Sequence, residues 1–593
     1  MVETLSQLFL NTVRAYPKPD LFLSKAQGSY EPISSDDAAA RVRHLALGLH
    51  SLGCRPGDKV ILLAENSPWW ILSDFAIQSL GAATVPIYPT LVSGQIKFII
   101  QNSDATVVLC SSAELWAKIA AVRGEFTNVR QFVVFFDPAP SGALALKDVL
   151  ARGREADAND PALFEKGALA VKPGDLASII YTSGTTGIPK GVMLSHANFV
   201  SNIKIMAEIV AFEHPDVVLL FLPLSHVLAR MTTWSFLYKG CSIAFAESVE
   251  TVAENLLEIR PHIMVSVPRL FEKLYAKIMD NVLLGSPLKR KIFAWAVRVG
   301  TDHGHRSIEK RPIPAGLRFK RRLAHKLVFS KILVKTGGRV RFFVSGGAPL
   351  SRDIADFFYA IGLVVLEGYG LTETSPVLAV NTFENVRFGT VGKVAPGVTV
   401  RIAEDGEILA KGPNVMSGYY RNEAETREVF DAEGWFHTGD IGHLDADGFL
   451  VITDRKKDLI VTAGGKNVAP QMIENQLRQI PFIANALVVG SRRKFISALI
   501  VPNVEKLEDY ARQKQIAFAR TVDLVARDDI QAFYLDEIDR NTPNLAPYEK
   551  IKKIILMDRD FELEREELTP TLKIKRGRVE DKFKDLIDSL YKE

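Results

Sequence analysis

The chain has almost no cysteine. Cys54, Cys110 and Cys241 are the only three in 593 residues, far apart and without a Cys-x-x-Cys pair, so a disulfide framework or a cysteine-based zinc site would lack its ligands. A reducing, cytoplasmic setting is expected, with each thiol a small buried hydrophobe. Long apolar runs are also missing: residues 217–229 are interrupted by Pro223, Ser225 and His226 and fall short of the roughly 20 residues needed to span a bilayer. Residues 1–17 include Leu8-Phe9-Leu10 but also Glu3, Gln7, Asn11 and Arg14, a pattern unlike a signal peptide. Neither sign of charge dominates. The 73 Lys and Arg against 69 Asp and Glu leave +4, which argues against nucleic acid as a partner.

What is present is enough apolar sequence, 47%, to fill the cores of about three or four folding units. Helix-like and strand-like segments alternate from residue 36 to 109: helix 36–52, strand 59–64, helix 69–80, strand 84–87, helix 95–101 and strand 106–109. The rhythm returns with helix 199–210, strand 217–221, helix 252–259 and strand 263–267, and it predicts parallel sheets covered by helices. Residues 389–400 and 406–410 are short β runs punctuated by glycine, expected to form a small β unit. After Asp454-Arg-Lys-Lys457 the composition shifts to α+β. Residues 137–166, with Pro138, Pro140 and Pro161, read as an irregular surface connection. Residues 289–341 carry about sixteen Lys and Arg against two acids, with Phe293, Trp295, Phe319 and Phe329 interleaved. This segment is either a solvated helical pair packed on the protein or a face for an anionic membrane surface.

The most informative stretch is Tyr181-Thr-Ser-Gly-Thr-Thr-Gly-Ile-Pro-Lys190-Gly191, entered from the strand-like residues 177–180. Gly184 and Gly187 free backbone N–H groups to turn towards an anion, Thr182, Ser183, Thr185 and Thr186 add hydroxyl donors, and Lys190 adds a compact charge. The loop suits phosphate, although it is no Walker loop.

Together with this loop, Ser345-Gly-Gly-Ala-Pro-Leu350, Glu367-Gly-Tyr-Gly-Leu-Thr-Glu-Thr374, Trp435-Phe-His-Thr-Gly-Asp440, Asp454-Arg-Lys-Lys-Asp-Leu-Ile460 and Gly464-Gly-Lys-Asn-Val-Ala-Pro470 stand in the order of a known set. The chain resembles, over nearly its whole length, the AMP-forming acyl-CoA synthetases of the adenylate-forming superfamily. Leu222-Pro-Leu-Ser-His226 and Leu568-Thr-Pro-Thr-Leu-Lys-Ile-Lys575 look closest to its long-chain fatty acyl branch. The resemblance implies an α/β fold with a large N-terminal domain, residues 1–455, of two doubly wound α/β subdomains and a small β-barrel subdomain near 380–453. A smaller, mobile α+β C-terminal domain, 456–593, follows.

The implied reaction joins a fatty acid to the α-phosphorus of ATP, releasing pyrophosphate, and then transfers the acyl group from AMP to coenzyme A. The competing expectation is a fatty acyl-AMP ligase that delivers the acyl group to a carrier protein. By the same resemblance the loop 182–190 holds the β- and γ-phosphates, Glu373 holds Mg²⁺ and Thr372 contacts the α-phosphate. Gly346, Gly347, Ala348, Gly368, Tyr369 and Gly370 line the adenine slot, and Asp440 and Arg455 bind the ribose. A C-terminal lysine reaches the reacting groups; the family pattern laid on Pro570–Arg576 selects Lys573, with Leu572 where glycine is usual and Lys575 as the rival. Rotation about a hinge near Lys457 would then bring Ala463, Gly464 and Gly465 to the pantetheine tunnel. His226 reads as lining for the acyl entrance or as a core histidine. Arg230 stands where some long-chain members have a gating tryptophan, with Trp234 as a substitute. Expected partners are a fatty acid, ATP, coenzyme A, an anionic inner membrane face at Lys289–Arg341 and a second copy in a homodimer.

Overall fold

The computed structural model describes residues 2–182, 189–563, 565–569 and 573–592. Runs of Val, Ile, Leu and Phe only four to seven residues long, too short for helices and apolar on both faces, become the central strands of two large sheets. The nine-stranded sheet is parallel at its centre, where Ser242–Phe245, Val217–Leu220, Ile263–Ser266, Phe342–Ser345 and Val364–Gly370 lie side by side. Its edge strands Ser29–Ile33, Val377–Val380 and Lys393–Val394 run antiparallel to their neighbours. The eight-stranded sheet places Leu176–Thr182 beside Ala83–Ile87 and continues through Lys59–Leu63 and Val107–Cys110 in parallel, while Lys190–Ser195 folds back as a hairpin partner of Leu176–Thr182.

Helices Pro68–Ser79, His196–Ile209 and Val227–Tyr238 are buried along nearly their whole length, as expected of a layer caught between two sheets. One buried ion pair crosses it. Arg230 donates from Nε to Asp74 at 2.9 Å and from Nη2 at 2.5 Å, and from Nη1 to Ser178 Oγ at 2.7 Å. Each of its three nitrogens has an acceptor, and the Asp74 carboxylate balances its charge, the condition under which a guanidinium tolerates complete burial.

The β unit, expected as a small barrel near 380–453, is a four-stranded antiparallel sheet in chain order: Thr399–Ile402, Glu407–Lys411, Phe436–Leu444, Leu450–Arg455. A bridge from Phe449 to Lys393 joins it to the nine-stranded sheet. Residues from Ile460 onward build their own cores around Ile483–Val489, Ser497–Pro502 and Lys553–Leu556.

One expectation is overturned. Residues 137–166 are not an irregular connection, because Leu146–Asn159 is a helix lying across helix Ser35–Ser51. A Cβ on Gly153 would sit 1.7 Å from the His44 carbonyl oxygen, and one on Gly48 would sit 2.2 Å from that of Val149. Glycine at these two positions lets the two helix backbones touch. The three cysteines are buried and free, and burial pushes each thiol up to about 12.

Candidate active site

The motifs meet where strands of both large sheets end, beside the small β sheet. Strand Phe342–Ser345 delivers Gly346, Gly347 and Ala348, and the neighbouring strand Val364–Gly370 ends in Gly368, Tyr369 and Gly370. A Cβ on Gly370 would lie 1.8 Å from the Pro376 carbonyl oxygen, so only glycine fits this turn. Glu367, just before it, accepts from the Leu350 N–H at 3.1 Å and so ties down the end of the Gly346 loop; its burial pushes the carboxyl up to about 8.

Asp440 sits on strand Phe436–Leu444, directly opposite Arg455 on Leu450–Arg455. Its Oδ1 is 3.1 Å from Arg455 Nε, and its Oδ2 accepts from the Tyr369 hydroxyl at 2.7 Å. Burial next to this carboxylate raises the Tyr369 phenol well above its ordinary value, so it stays a donor. Thr372, Glu373 and Thr374 form a single 3₁₀ turn. The Glu373 carboxylate accepts from Tyr419 OH at 3.0 Å, and desolvation raises its pKa. Lys190 is paired with Glu425 at 2.7 Å.

The C-terminal unit brings in one more cation. Lys573 keeps solvent-accessible surface in the cleft, but the protein around its amine and the Arg455 guanidinium push it down to about 8, against a smaller upward pull from Asp440. Its segment is pinned on both sides. Glu567, pushed down to about 2 by its cationic partners despite burial, takes a bidentate pair from Arg559 at 2.7 Å and one from Lys582 at 2.6 Å; Arg576 binds Glu474 at 2.5 Å. Lys575 lies elsewhere, in a shallow cavity with Thr90, Gln95 and Glu566. Lys506 pairs with Asp280 at 2.7 Å, a further link between the two units.

His226 caps helix Val227–Tyr238, its Nδ1 accepting from the Leu228 N–H at 3.2 Å; burial and the Lys573 charge push it down to about 4, so the ring is neutral. Trp234 does not stand at an entrance. It is fully buried, edge-on to Phe199 at 4.9 Å and 4.6 Å from the Arg230 guanidinium. Arg230, which stands where some long-chain members have the gating tryptophan, commits all three nitrogens to Asp74 and Ser178, so Trp234 does not substitute for the missing gate.

Ala463, Gly464 and Gly465 form the exposed turn of the hairpin Ile460–Val461 and Asn467–Val468. Ser183, Gly184, Thr185, Thr186 and Gly187 lie outside the described residues, while Thr182 and Lys190 pair with each other across the hairpin that frames them. Sequence reasoning missed Tyr419, Glu425 and Glu367. Glu367 opens a quoted motif and Tyr419 follows Gly418 in an aromatic pair, but Glu425 is one acid among several and gives no signal.

The sequence profile of AMP-binding enzymes matches residues 11–420, and that of the AMP-binding enzyme C-terminal domain matches 457–593. The chain belongs to the AMP-binding enzyme family. Within this family it is 38% identical over 571 residues to the long-chain-fatty-acid–CoA ligase FadD15 of Mycobacterium bovis, covering 95% of this chain and 93% of the relative. It is 31% identical to the long-chain-fatty-acid–CoA ligase ACSBG1 of Bos taurus, over all of this chain and 85% of that one. The fold is shared with the A domain of a carboxylic acid reductase from Segniliparus rugosus, solved with AMP and a co-purified carboxylic acid, at a TM-score of 0.76 and 21% identity over 99% and 94% of the two chains.

Proposed function

We propose that this AMP-binding enzyme activates a long-chain fatty acid with ATP and passes the acyl group to coenzyme A. The observation that carries the reading is the approach of Lys573, from the C-terminal unit, to buried Asp440 and its half-exposed partner Arg455, both of which act on its amine; the identity to long-chain-fatty-acid–CoA ligases along the full chain supports the substrate class. A fatty carboxylate is a poor electrophile and a modest nucleophile, so the chemistry needs positioning and positive charge around the attacked α-phosphorus. Asp440 accepts both ribose hydroxyls, exchanging the Tyr369 hydrogen bond for them, and Arg455 adds a donor. The Tyr369 ring stacks on adenine, with Gly346, Gly347, Ala348, Gly368 and Gly370 allowing close approach.

Thr372 donates to the α-phosphate, while Lys190 and the Thr182–Gly187 loop hold the β- and γ-phosphates. Lys573, as an ammonium, bridges the carboxylate and the α-phosphate as negative charge gathers there. Among the described residues no three metal-ligating side chains cluster. Glu373 is a desolvated carboxylate that accepts from the Tyr419 hydroxyl and its own backbone N–H, which fits magnesium, an ion commonly bound by one protein carboxylate plus nucleotide phosphates and water. When bound, Mg²⁺ neutralises phosphate charge. For thioester formation the C-terminal unit, residues 456–593, rotates about Lys457, withdrawing Lys573 and carrying Ala463, Gly464 and Gly465 to the pantetheine tunnel.

Contact with an anionic inner membrane face through Lys289–Arg341 is part of this reading. No helix among the described residues is long and apolar enough to cross a membrane. Phe319, 69% exposed, and the exposed Leu323 and Leu327 follow at four-residue spacing, with Arg318, Lys320, Arg322 and Lys326 exposed around them. Phe329, by contrast, is buried. Replacing Phe319 by Ser is expected to lower co-sedimentation with phosphatidylglycerol vesicles at least threefold and to leave turnover of dissolved octanoate unchanged; unaltered sedimentation contradicts the contact.

The reaction itself is tested by fatty-acid-dependent release of pyrophosphate from MgATP. Failure to release it with any chain length contradicts the proposal.

A further inference from the structure

The cleft carries an anion of its own. Lys190 opens strand Lys190–Ser195, and its Nζ lies 2.7 Å from Oε1 of Glu425, with the two side chains only 16% and 20% exposed. The carboxylate is held in place: its Oε2 accepts from Asn422 Nδ2 at 2.7 Å, and the Glu425 N–H donates to Asn422 Oδ1 at 3.2 Å. Lys190 also lies 5.4 Å from the centre of the Tyr419 ring, and the same Tyr419 donates to Glu373. The whole group is tied to the strand it faces, because Tyr419 pairs with Val192 and the Tyr420 N–H donates to the Gly191 carbonyl at 2.7 Å. A solvated helix start would leave its acids free; this one directs a fixed carboxylate at the lysine assigned to the phosphates.

We propose that Glu425 is a built-in competitor of the triphosphate for Lys190, which weakens the hold on the β- and γ-phosphates and lets pyrophosphate leave. This rests on the reading of Lys190 as a phosphate-binding residue. Equal tightening of substrate and product does nothing for the chemical step and retains pyrophosphate, so a fixed negative charge at this position favours turnover. Both anions lose the same Coulomb term, because each must either displace Glu425 from the ammonium or share the ammonium with it. AMP, which lacks the two outer phosphates, is indifferent to it.

Titration calorimetry on the full-length enzyme, with MgATP, magnesium pyrophosphate and AMP as separate ligands, tests the assignment. E425Q, and E425S as a second neutral variant, are expected to bind MgATP and pyrophosphate about 3- to 10-fold more tightly, the scale of one partly exposed ion pair, with AMP within about twofold of the unaltered protein. E425D, which keeps the charge, stays near the unaltered protein for all three, and pyrophosphate inhibits turnover of E425Q at correspondingly lower concentration. Unchanged or weaker binding of both ligands by the neutral variants overturns the role of Glu425, as does an equal shift for AMP, which marks a general disturbance of the site. K190A is expected to weaken MgATP and pyrophosphate but not AMP; if it weakens none of them, the reading of Lys190 itself falls.

Discussion

At the scale of single residues the account rests on Lys573. Replacing it with Ala is expected to cut acyl-adenylate formation at least 100-fold while thioester formation from supplied acyl-adenylate changes less than about threefold. K575A, which alters a lysine outside the cleft, leaves both half-reactions intact. Equal loss of both half-reactions in folded K573A contradicts the role. The depressed pKa adds a pH test. The Lys573 amine is pushed down to about 8 from 10.5, so the ammonium form, on which its proposed role in adenylation depends, is lost as pH rises through 8. The kcat/KM for adenylation is expected to fall above pH 8, while the same limb in kcat moves alkaline once an anionic nucleotide neighbours the amine. The sign for docking is the reverse: the crowded cleft disfavours the charged amine, so the closed arrangement gains as pH rises from about 8 towards 10.5. For Asp440, D440N removes the charge proposed to receive the ribose hydroxyls and should raise KM for ATP about 10- to 100-fold, the equivalent of about 1.5–3 kcal/mol for one charge-assisted hydrogen bond.

At the scale of elements, much was legible in the sequence and the failures share a cause. Strands such as Lys59–Leu63 and Ile263–Ser266 were readable because apolar runs of this length between turn residues have few other uses. The loop 181–191 could be read as suited to phosphate from its glycines, hydroxyls and lysine, whereas the other proposed nucleotide contacts came from the resemblance to the AMP-forming acyl-CoA synthetases. Helix Leu146–Asn159 was not readable, because Pro138, Pro140 and Pro161 around a small, polar and charged stretch suggest a connection, while the close approach that Gly153 permits, with the His44 carbonyl oxygen 1.7 Å from where its Cβ would be, is a long-range contact. G153A is therefore predicted to destabilise the protein by more than about 3 kcal/mol, read as a lowered Tm with unchanged KM for ATP, whereas a breaker glycine in a loop would tolerate alanine with a change below about 1 kcal/mol. Arg230 and Trp234 misled for a related reason. Their roles come from long-range partners, Asp74 and Ser178 for the arginine and Phe199 for the tryptophan, which no local pattern encodes. Glu425 was hidden the same way, since its partner Lys190 lies more than two hundred positions away.

At the scale of the whole molecule, two sheets with a buried helical layer carry the motifs proposed to bind substrate, and a C-terminal unit with its own cores carries Lys573, the cation proposed to come and go. Proline at the proposed hinge, K457P, is expected to hold acyl-adenylate formation within about threefold while thioester formation falls more than tenfold, because a restricted φ impedes rotation and leaves the docked arrangement in place. The most direct measurement of the central claim is mass spectrometry of the products formed from MgATP and a mixture of short to very long fatty acids, with and without coenzyme A. The account predicts acyl-CoA and AMP only in the presence of coenzyme A, with long chains dominant. Acyl-adenylate alone in both reactions would contradict it.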